Sequence, residues 1–217
     1  MSQIRLLLWI ASALLLAAPA GAITFGQIDD FQDGTTQSWA SGGPNPTPPT
    51  NVSDVGPAGI GDDALQITSG GGGGPGSRLI AYNFDQWTGD YTAAGVTAIS
   101  ADVFNAGSTD LTLRLAMDGG GGIISSTLGI ALAAGSGWQT VVFGVTIGDM
   151  SFAGGFNIAA TLANVSELRI LSNPSPSYLG QTIDGQLLVD NLMAVPEPAT
   201  ATLLALGLAG FALHRRR

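Results

Sequence analysis

The sequence predicts an all-β domain built as a sandwich or a barrel. Segments such as 99–103 and 111–115 alternate apolar and polar residues, as half-buried strands do. Glycine, aspartate and proline fill the joins between such segments, and no apolar repeat of 3.6 residues persists through the middle of the chain. Many short strands with turn-rich joins are typical of these two architectures.

The strands are assigned from apolar and β-branched runs bounded by turn residues. In chain order, the predicted strands are residues 23–28, 64–68, 78–84, 96–105, 111–117, 123–128, 138–147, 167–171 and 186–192. Segment 41–50 contains too many prolines to pair centrally and is predicted to be an insertion between strands. The glycine runs at 70–74 and 119–122 lack the following helix and the lysine of a phosphate-binding loop, so they are predicted to be joins between strands.

The first 22 residues have the layout of a secretory signal peptide. Arg5 supplies the positive start, residues 6–18 form the apolar core, and small residues follow at Ala20 and Ala22. Cleavage by signal peptidase is therefore expected after Ala22.

The last residues, 195–217, form a second terminal unit with an extended start, an apolar run at 199–213 and a basic end. Its signal residues are Val195, Pro196, Glu197, Pro198, Arg215, Arg216 and Arg217. As a helix, the apolar run would rise roughly 22 Å, which is short of the roughly 30 Å hydrocarbon core of a bilayer. The arginines favour the cytoplasmic side, so the tail is predicted to enter the membrane as a short helix with the preceding domain outside.

This order of Pro-Glu-Pro, apolar run and arginine cluster resembles the PEP-CTERM family. The resemblance implies that an exosortase, a membrane protease, processes the tail near Pro196, Glu197 and Pro198. It also implies delivery to the cell surface or extracellular matrix of a Gram-negative bacterium that makes extracellular polysaccharide. An ordinary membrane anchor that is never cut is the alternative.

Residues 23–194 remain as one domain, and its composition excludes several functions. It holds 15 of the 16 acidic residues and only three of the seven basic ones, a net charge of −12 that argues against nucleic-acid binding. The chain has no cysteine, and its one histidine, His214, lies in the tail. Disulfides, thiolate chemistry, Ser-His-Asp catalysis and histidine-bound metals are thereby excluded from the domain. Carboxylate chemistry, such as glycoside hydrolysis, remains open.

The two ends of the domain, 28–34 and 188–192, together with residues 61–65, are similar to the corresponding parts of carbohydrate-binding jelly rolls. That resemblance implies a jelly-roll-like β-sandwich whose first and last strands lie together and whose acidic residues hold a structural calcium ion. Asp30 and Asp190 are the candidate ligands. Strand alternation puts Asp190 on one face with Leu188 and Leu192, where a carboxylate needs a partner. Backbone N–H groups or water are the alternative to calcium.

Sugar binding requires exposed aromatic rings. Tyr82, Trp87 and Tyr91 form the candidate glycan-binding platform, and Asn83, Asp85 and Asp90 are candidates for contacts to hydroxyl groups. The alternative is that these rings belong to the core, as is predicted for Trp39 and Trp138.

The sequence thus predicts a non-catalytic exported surface or matrix protein, with polysaccharide binding as its candidate activity. One alternative is a glycosidase or polysaccharide lyase whose catalysts are carboxylates or tyrosine. The other is a purely structural matrix component without a ligand.

Overall fold

The computed structural model describes residues 22–196, which form two antiparallel sheets packed face to face. The strands and the single short helix follow in chain order: β1 Ile28–Asp29, β2 Thr50–Val52, β3 Ala64–Gly70, β4 Ile80–Asn83, β5 Ala98–Asn105, β6 Leu111–Gly119, β7 Ile124–Ser126, β8 Ile130–Leu132, β9 Gln139–Gly144, β10 Met150–Phe152, α1 Ile158–Leu162, β11 Val165–Ser172 and β12 Asp184–Val195. The prediction of an all-β sandwich is confirmed.

The first sheet has the order β2-β3-β12-β5-β9, and β1 also pairs with β12. The long strand β12 therefore lies in the middle of the sheet, between β3 and β1 on one side and β5 on the other. The register places Ile28 opposite Met193 and Asp29 opposite Leu192. The first and last strands of the domain lie together, as the resemblance implied.

The second sheet has the order β10-β7-β6-β11-β4, and β8 also pairs with β6. Its central pair, β6 and β11, runs antiparallel with Arg169 opposite Ala116. Inward-facing residues of both sheets meet in one apolar core, which includes Ile99 and Val189 from the first sheet and Leu115 and Ile170 from the second. Burial of this apolar surface is the main stabilising contribution in a chain that has no disulfide.

The segment between β11 and β12 lies against the outer face of the second sheet and is held there by Arg114. The Arg114 guanidinium is buried and donates to four backbone carbonyls: those of Asn173 at 2.8 Å, Pro174 at 2.8 Å, Ser126 at 2.6 Å and Thr127 at 3.0 Å. Burial lowers the pKa of Arg114 from its ordinary value. One side chain thus satisfies carbonyls from two separate loops.

Most of the predicted strands are present with shifted ends, but three short strands were missed. The predicted strand 23–28 is reduced to β1, because Thr24 to Gln27 form a turn in which Gly26 has a φ of 77°. The missed strands β2, β8 and β10 each have three residues, too few for an alternation to appear.

The glycine run 119–122 joins β6 to β7, as predicted, and it has a packing role as well. The backbone of α1 lies directly on these glycines, and a Cβ at Gly121 would collide with the carbonyl of Asn157. Asn157 caps α1, since its side chain accepts from the backbone N–H of Ala160 at 3.1 Å. Among residues 22–196, no helix has the length and apolar character needed to span a membrane.

A β-bulge in β12 corrects the predicted face of Asp190. The register shifts between Asp190 and Met193, and Asn191 adopts a φ of 48° there. Asp190 stays on the outer face with Leu188, but the extra residue turns Leu192 inward to the core. The prediction that Leu192 shares the face of Asp190 was therefore wrong.

Candidate functional site

Two of the three predicted platform residues are buried, and the prediction of a platform at these positions was wrong. The side chains of Trp87 and Tyr91 are 0% and 1% exposed. The Tyr91 hydroxyl donates to the backbone carbonyl of Trp87 at 2.9 Å, so even its polar atom is engaged inside the domain. Burial, followed by the charge of Asp29, raises the pKa of the Tyr91 hydroxyl well above its ordinary value. Neither ring can stack on a sugar.

The aromatic rings pack around a buried carboxylate that the sequence reasoning did not single out. Asp29 is on β1, and its Oδ2 accepts from the indole N–H of Trp39 at 2.7 Å, the indole N–H of Trp87 at 2.6 Å and the amide of Gln86 at 3.0 Å. Burial raises the pKa of Asp29, although these three hydrogen bonds oppose the rise. Trp39 is buried, as predicted. The signal in the sequence was an aspartate within an apolar strand, which needs donors of this kind.

The third predicted platform residue, Tyr82, lies elsewhere. It is half-buried on the outer face of the second sheet, where Phe84 meets its ring edge-on with centroids 5.0 Å apart. Phe84 is 60% exposed. Arg169 on β11 lies opposite Tyr82, with its Cζ 5.4 Å from the centre of the Tyr82 ring. Tyr178 stacks on Arg169 from the loop, at 3.4 Å from Cζ to ring centre. We call Tyr82, Phe84, Arg169 and Tyr178 the aromatic patch.

Glu167 fixes the geometry of the aromatic patch through its two carboxylate oxygens. Its Oε1 accepts from Nε of Arg169 at 2.7 Å, and its Oε2 accepts from the hydroxyl of Tyr178. Arg169 also donates to the backbone carbonyl of Tyr178 at 3.1 Å. Burial and the hydrogen bond to Glu167 raise the pKa of Tyr178 above its ordinary value. The stacked guanidinium is thereby neutralised and held in one orientation.

The patch can bind a ring-shaped ligand that presents both an apolar face and hydrogen-bonding groups. Phe84 supplies an exposed flat surface, and the half-buried tyrosines and Arg169 supply polar atoms beside it. Sequence reasoning missed Arg169 and Tyr178 because they come from segments distant in the chain, and the pairing of β4 with β11 puts Arg169 opposite Tyr82. Phe84 was missed although it follows Tyr82 by two residues, on the same side of an alternating strand.

The polar residues proposed for contacts to sugar hydroxyls are differently placed. Asn83 is buried and donates to the carbonyl of Gln37 at 3.1 Å, so its amide is already used. Asp85 is exposed next to Phe84 and accepts from the hydroxyl of Ser38 at 3.2 Å. Asp90 is exposed and accepts from the backbone N–H of Ala93 at 2.8 Å, as a turn residue does. Of these three residues, Asp85 adjoins the aromatic patch.

A second aromatic pair lies on the outer face of the first sheet. The ring of Trp138 meets that of Phe104 edge-on, with centroids 5.9 Å apart. Trp138 is half-buried, so the prediction that it belongs to the core was wrong. Its indole N–H donates to the carbonyl of Val55 at 3.0 Å, which covers the polar edge.

Asp190 is a buried carboxylate surrounded by like charges. Its two oxygens accept from the backbone N–H of Asn191 at 2.7 Å and from the side-chain amide of Asn191 at 3.0 Å. The same amide donates to Asp102 at 3.0 Å, so it bridges two carboxylates. Burial and the charges of Asp62, Asp102 and Asp30 raise the pKa of Asp190 to about 7, although the hydrogen bond from Asn191 opposes the rise.

The carboxylate oxygens of Asp190 and Asp102 are the kind of ligand that calcium prefers, but the groups that face them from Asn191 are N–H donors. In the described part of the chain, however, no three acidic side chains are arranged to hold a metal ion. The oxygens of Asp190 face Asn191, and Asp30 accepts instead from the backbone of Gln32 at 3.3 Å. The chemistry of the residues suits a hard cation, but their present hydrogen bonds do not form a coordination shell.

Residues 194–217 match the model of the PEP-CTERM protein-sorting motif. Such a motif implies an exported, surface-directed protein that an exosortase processes. Val195 and Pro196 lie at the end of β12, whereas Glu197, Pro198 and the three terminal arginines lie outside the described residues. The signal-peptide prediction also falls outside them, apart from Ala22.

The fold is similar to that of several solved structures. An exo-beta-agarase matches with a TM-score of 0.55 and 11% identity over 81% of this chain and 25% of the agarase chain. A second agarase matches with a TM-score of 0.52 and 12% identity over 81% and 26% of the two chains. The chain thus spans about a quarter of the length of these enzymes.

Carbohydrate-binding modules with a jelly-roll fold are also among the structural neighbours. A family 11 module from Clostridium thermocellum, solved with a mixed-linked tetrasaccharide, has a TM-score of 0.49 and 16% identity over 80% of this chain and 96% of the module. At these identities the likeness to the agarases shows the fold alone, and with the two packed sheets it confirms the predicted jelly-roll-like β-sandwich. No curated protein matches the chain.

Proposed function

We propose that the domain is a non-catalytic polysaccharide-binding module of an exported surface protein, and that the aromatic patch is its binding site. The observation that carries the proposal is the exposed ring of Phe84 beside Tyr82, Arg169 and Tyr178, all on one sheet face. A contiguous patch of exposed and half-exposed rings marks an interaction site, whereas a single exposed ring does not.

The patch favours a neutral glycan. A pyranose ring has an apolar face that stacks on Phe84, and its hydroxyl groups lie within reach of the hydroxyl of Tyr82 and the carboxylate of Asp85. Arg169 is already paired with Glu167, so it adds orientation rather than net positive charge. The domain carries a net charge of −12, which repels polyanionic chains at low ionic strength.

Affinity electrophoresis of the exported full chain in mild detergent tests this proposal. Neutral polysaccharides, including agarose and mixed-linked β-glucan, are compared with polyuronates in the gel. We expect retardation by at least one neutral polysaccharide, and we expect Phe84→Ala to weaken that binding about tenfold or more, since a stacked ring is lost. The melting temperature of this variant should hardly change, because Phe84 is exposed.

The matched control is Trp138→Ala on the opposite face, which removes a half-buried ring and should leave glycan binding unchanged. If Trp138→Ala abolishes binding and Phe84→Ala does not, the binding site lies on the first sheet and the proposal is wrong about the patch. If no polysaccharide retards the chain, the structural-component alternative gains support. The appearance of new sugar-chain ends in the same samples, which marks cleavage of the polysaccharide, would favour the glycosidase or lyase alternative.

We also propose the route by which the domain reaches its site. Signal peptidase removes residues 1–22, the apolar run 199–213 inserts in the membrane, and an exosortase cuts near Pro196, Glu197 and Pro198. The released domain then joins the extracellular matrix of a Gram-negative cell. The motif match at residues 194–217 supports the sorting step. Mass spectrometry of the mature protein tests the route, because finding residues 199–217 intact in all exported material would leave only an anchor.

A structural calcium ion near Asp30 and Asp190 is the remaining proposal. It is supported by the convergence of Asp30, Asp62 and Asp102 on the buried Asp190, which favours any bound cation. Binding would require Asp190 to exchange its hydrogen bonds from Asn191 for the metal. Millimolar Ca²⁺ should then raise the melting temperature, and a chelator should reverse the rise.

A further inference from the structure

The sorting tail leaves the sandwich at one end of the first sheet. β12 ends at Val195, whose carbonyl accepts from the backbone N–H of Thr97 at 3.1 Å. On the other side of β12, the carbonyl of Ala194 accepts from the N–H of Gly26 at 3.0 Å. The last described residues are therefore held between the start of the domain and the segment that precedes β5.

An apolar groove of about 350 Å³ opens beside this point. Thr97, which bonds to Val195, lines the groove, and its apolar walls come from Val96, Val145, Ile147 and Leu162. Ile147 is 61% exposed at the rim of the groove. The groove thus lies between the end of β12 and the exposed side chain of Ile147.

Phe25 adds a second exposed apolar side chain, on the opposite side of β12. It is 59% exposed and precedes Gly26, which is bonded to Ala194. We call the exposed side chains of Phe25 and Ile147, together with Thr97, the exit surface. Phe25 and Ile147 are both large apolar side chains on segments that are hydrogen-bonded, directly or through Thr97, to the end of β12.

The segments at this end are poor in charge, although the carboxylate of Asp149 accepts from the N–H and the hydroxyl of Thr146, which lines the groove. Residues 22–28, 91–101, 139–148 and 191–196 contain no Asp, Glu, Lys or Arg, although the domain carries 15 acidic residues. A low density of carboxylates matters for a surface that approaches a bilayer, because anionic lipids repel carboxylates within a Debye length of about 8 Å.

We propose that the exit surface docks on the lipid surface while the tail is in the membrane. The inference rests on the membrane insertion of the tail under the proposed route. Two residues separate Pro196 from the first residue of the apolar run, Ala199, and the three Cα–Cα steps span at most about 11 Å when fully extended. The exit surface is thus held within reach of the headgroups, where Phe25 and Ile147 insert and fix the orientation of the domain.

The absence of cysteine allows a direct test with single labels. The exported full chain is produced with its tail in a host without exosortase and reconstituted in phospholipid vesicles. Ile147→Cys and Phe25→Cys are labelled with an environment-sensitive fluorophore. We expect emission to shift to shorter wavelength, to be quenched by brominated lipid and to be protected from iodide. The label at Ile60→Cys is the control, since Ile60 is 96% exposed and lies in the loop between β2 and β3, which also contains acidic residues such as Asp54.

The possible outcomes separate the proposals. If the chain sediments with the vesicles but all three labels remain equally open to iodide, docking is refuted and the insertion of the tail stands. If the chain does not sediment with vesicles, both fail. If the label at residue 147 is already shielded without lipid and becomes accessible on truncation after Pro196, the tail itself fills the groove and the lipid proposal is wrong.

Discussion

Replacing Asp190 by Asn should stabilise the domain at neutral pH in the absence of a cation. Asp190 is buried among Asp30, Asp62 and Asp102, and its pKa is raised from 3.8 to about 7. The folded state therefore holds the proton more tightly than the unfolded state does. The contribution of this bound proton to the unfolding free energy is complete below about pH 4 and is lost as the pH rises to about 7.

The magnitude follows from the size of the shift. About three pKa units at 1.36 kcal/mol each correspond to about 4 kcal/mol of unfolding free energy that the wild type loses between pH 4 and pH 7. Asn keeps the side-chain shape and an acceptor for the N–H of Asn191, but it carries no charge. At pH 7 the melting temperature of the variant should exceed that of the wild type by about 10 °C, and the two should converge near pH 4.

Thermal unfolding at half-unit steps of pH, in chelator, measures the difference between the two proteins. Subtraction removes the similar contribution of Asp29, whose pKa is also raised. Asp33→Asn is the control, because it removes the same charge from an exposed residue whose pKa is lowered by hydrogen bonds from Thr35. A difference between wild type and Asp190→Asn that stays constant from pH 4 to pH 7 would refute the reasoning. With Ca²⁺, only the wild type should gain stability at pH 7.

Two further substitutions probe the interior. Trp87→Ala should lower the unfolding free energy by about 3–5 kcal/mol, since it leaves a cavity and removes a donor from Asp29. Urea titration measures this loss, and a loss below about 1 kcal/mol would place Trp87 outside the core. Arg114→Lys should destabilise by about 2 kcal/mol or more, because an ammonium cannot reach all four carbonyls of the guanidinium, whereas Arg78→Lys, with one carbonyl bond to Gly180, should cost much less. Equal losses for the two arginines would contradict this account.

The sequence was sufficient for the architecture, because alternation is strong in long strands such as β5 and β6. The prediction from sequence failed where a local feature changes the alternation of apolar and polar residues. The bulge at Asn191 turns Leu192 inward, and no residue pattern in 186–192 indicates the extra residue. Three-residue strands such as β10 carry too little periodicity to be assigned.

The candidate site was predicted only at Tyr82. Trp87 and Tyr91 are near Tyr82 in sequence, but hydrogen bonds to Asp29 and to the Trp87 carbonyl hold them inside. The partners of Tyr82 in the patch are Phe84, two residues further along the chain, and Arg169 and Tyr178, which come from β11 and the loop after it. Clustering in sequence was therefore only a partial guide to clustering in space, since β4 and β11 pair although they are far apart in the chain.

The central position of β12 determines how the domain bears a mechanical load. A tether attached after Val195 pulls along the length of a strand that is hydrogen-bonded to β3 and β1 on one side and β5 on the other. The antiparallel bonds lie perpendicular to this pull, so they are sheared together instead of being broken one after another. A pull on the tail would therefore be resisted by all of these hydrogen bonds at once, for as long as the tail remains uncut.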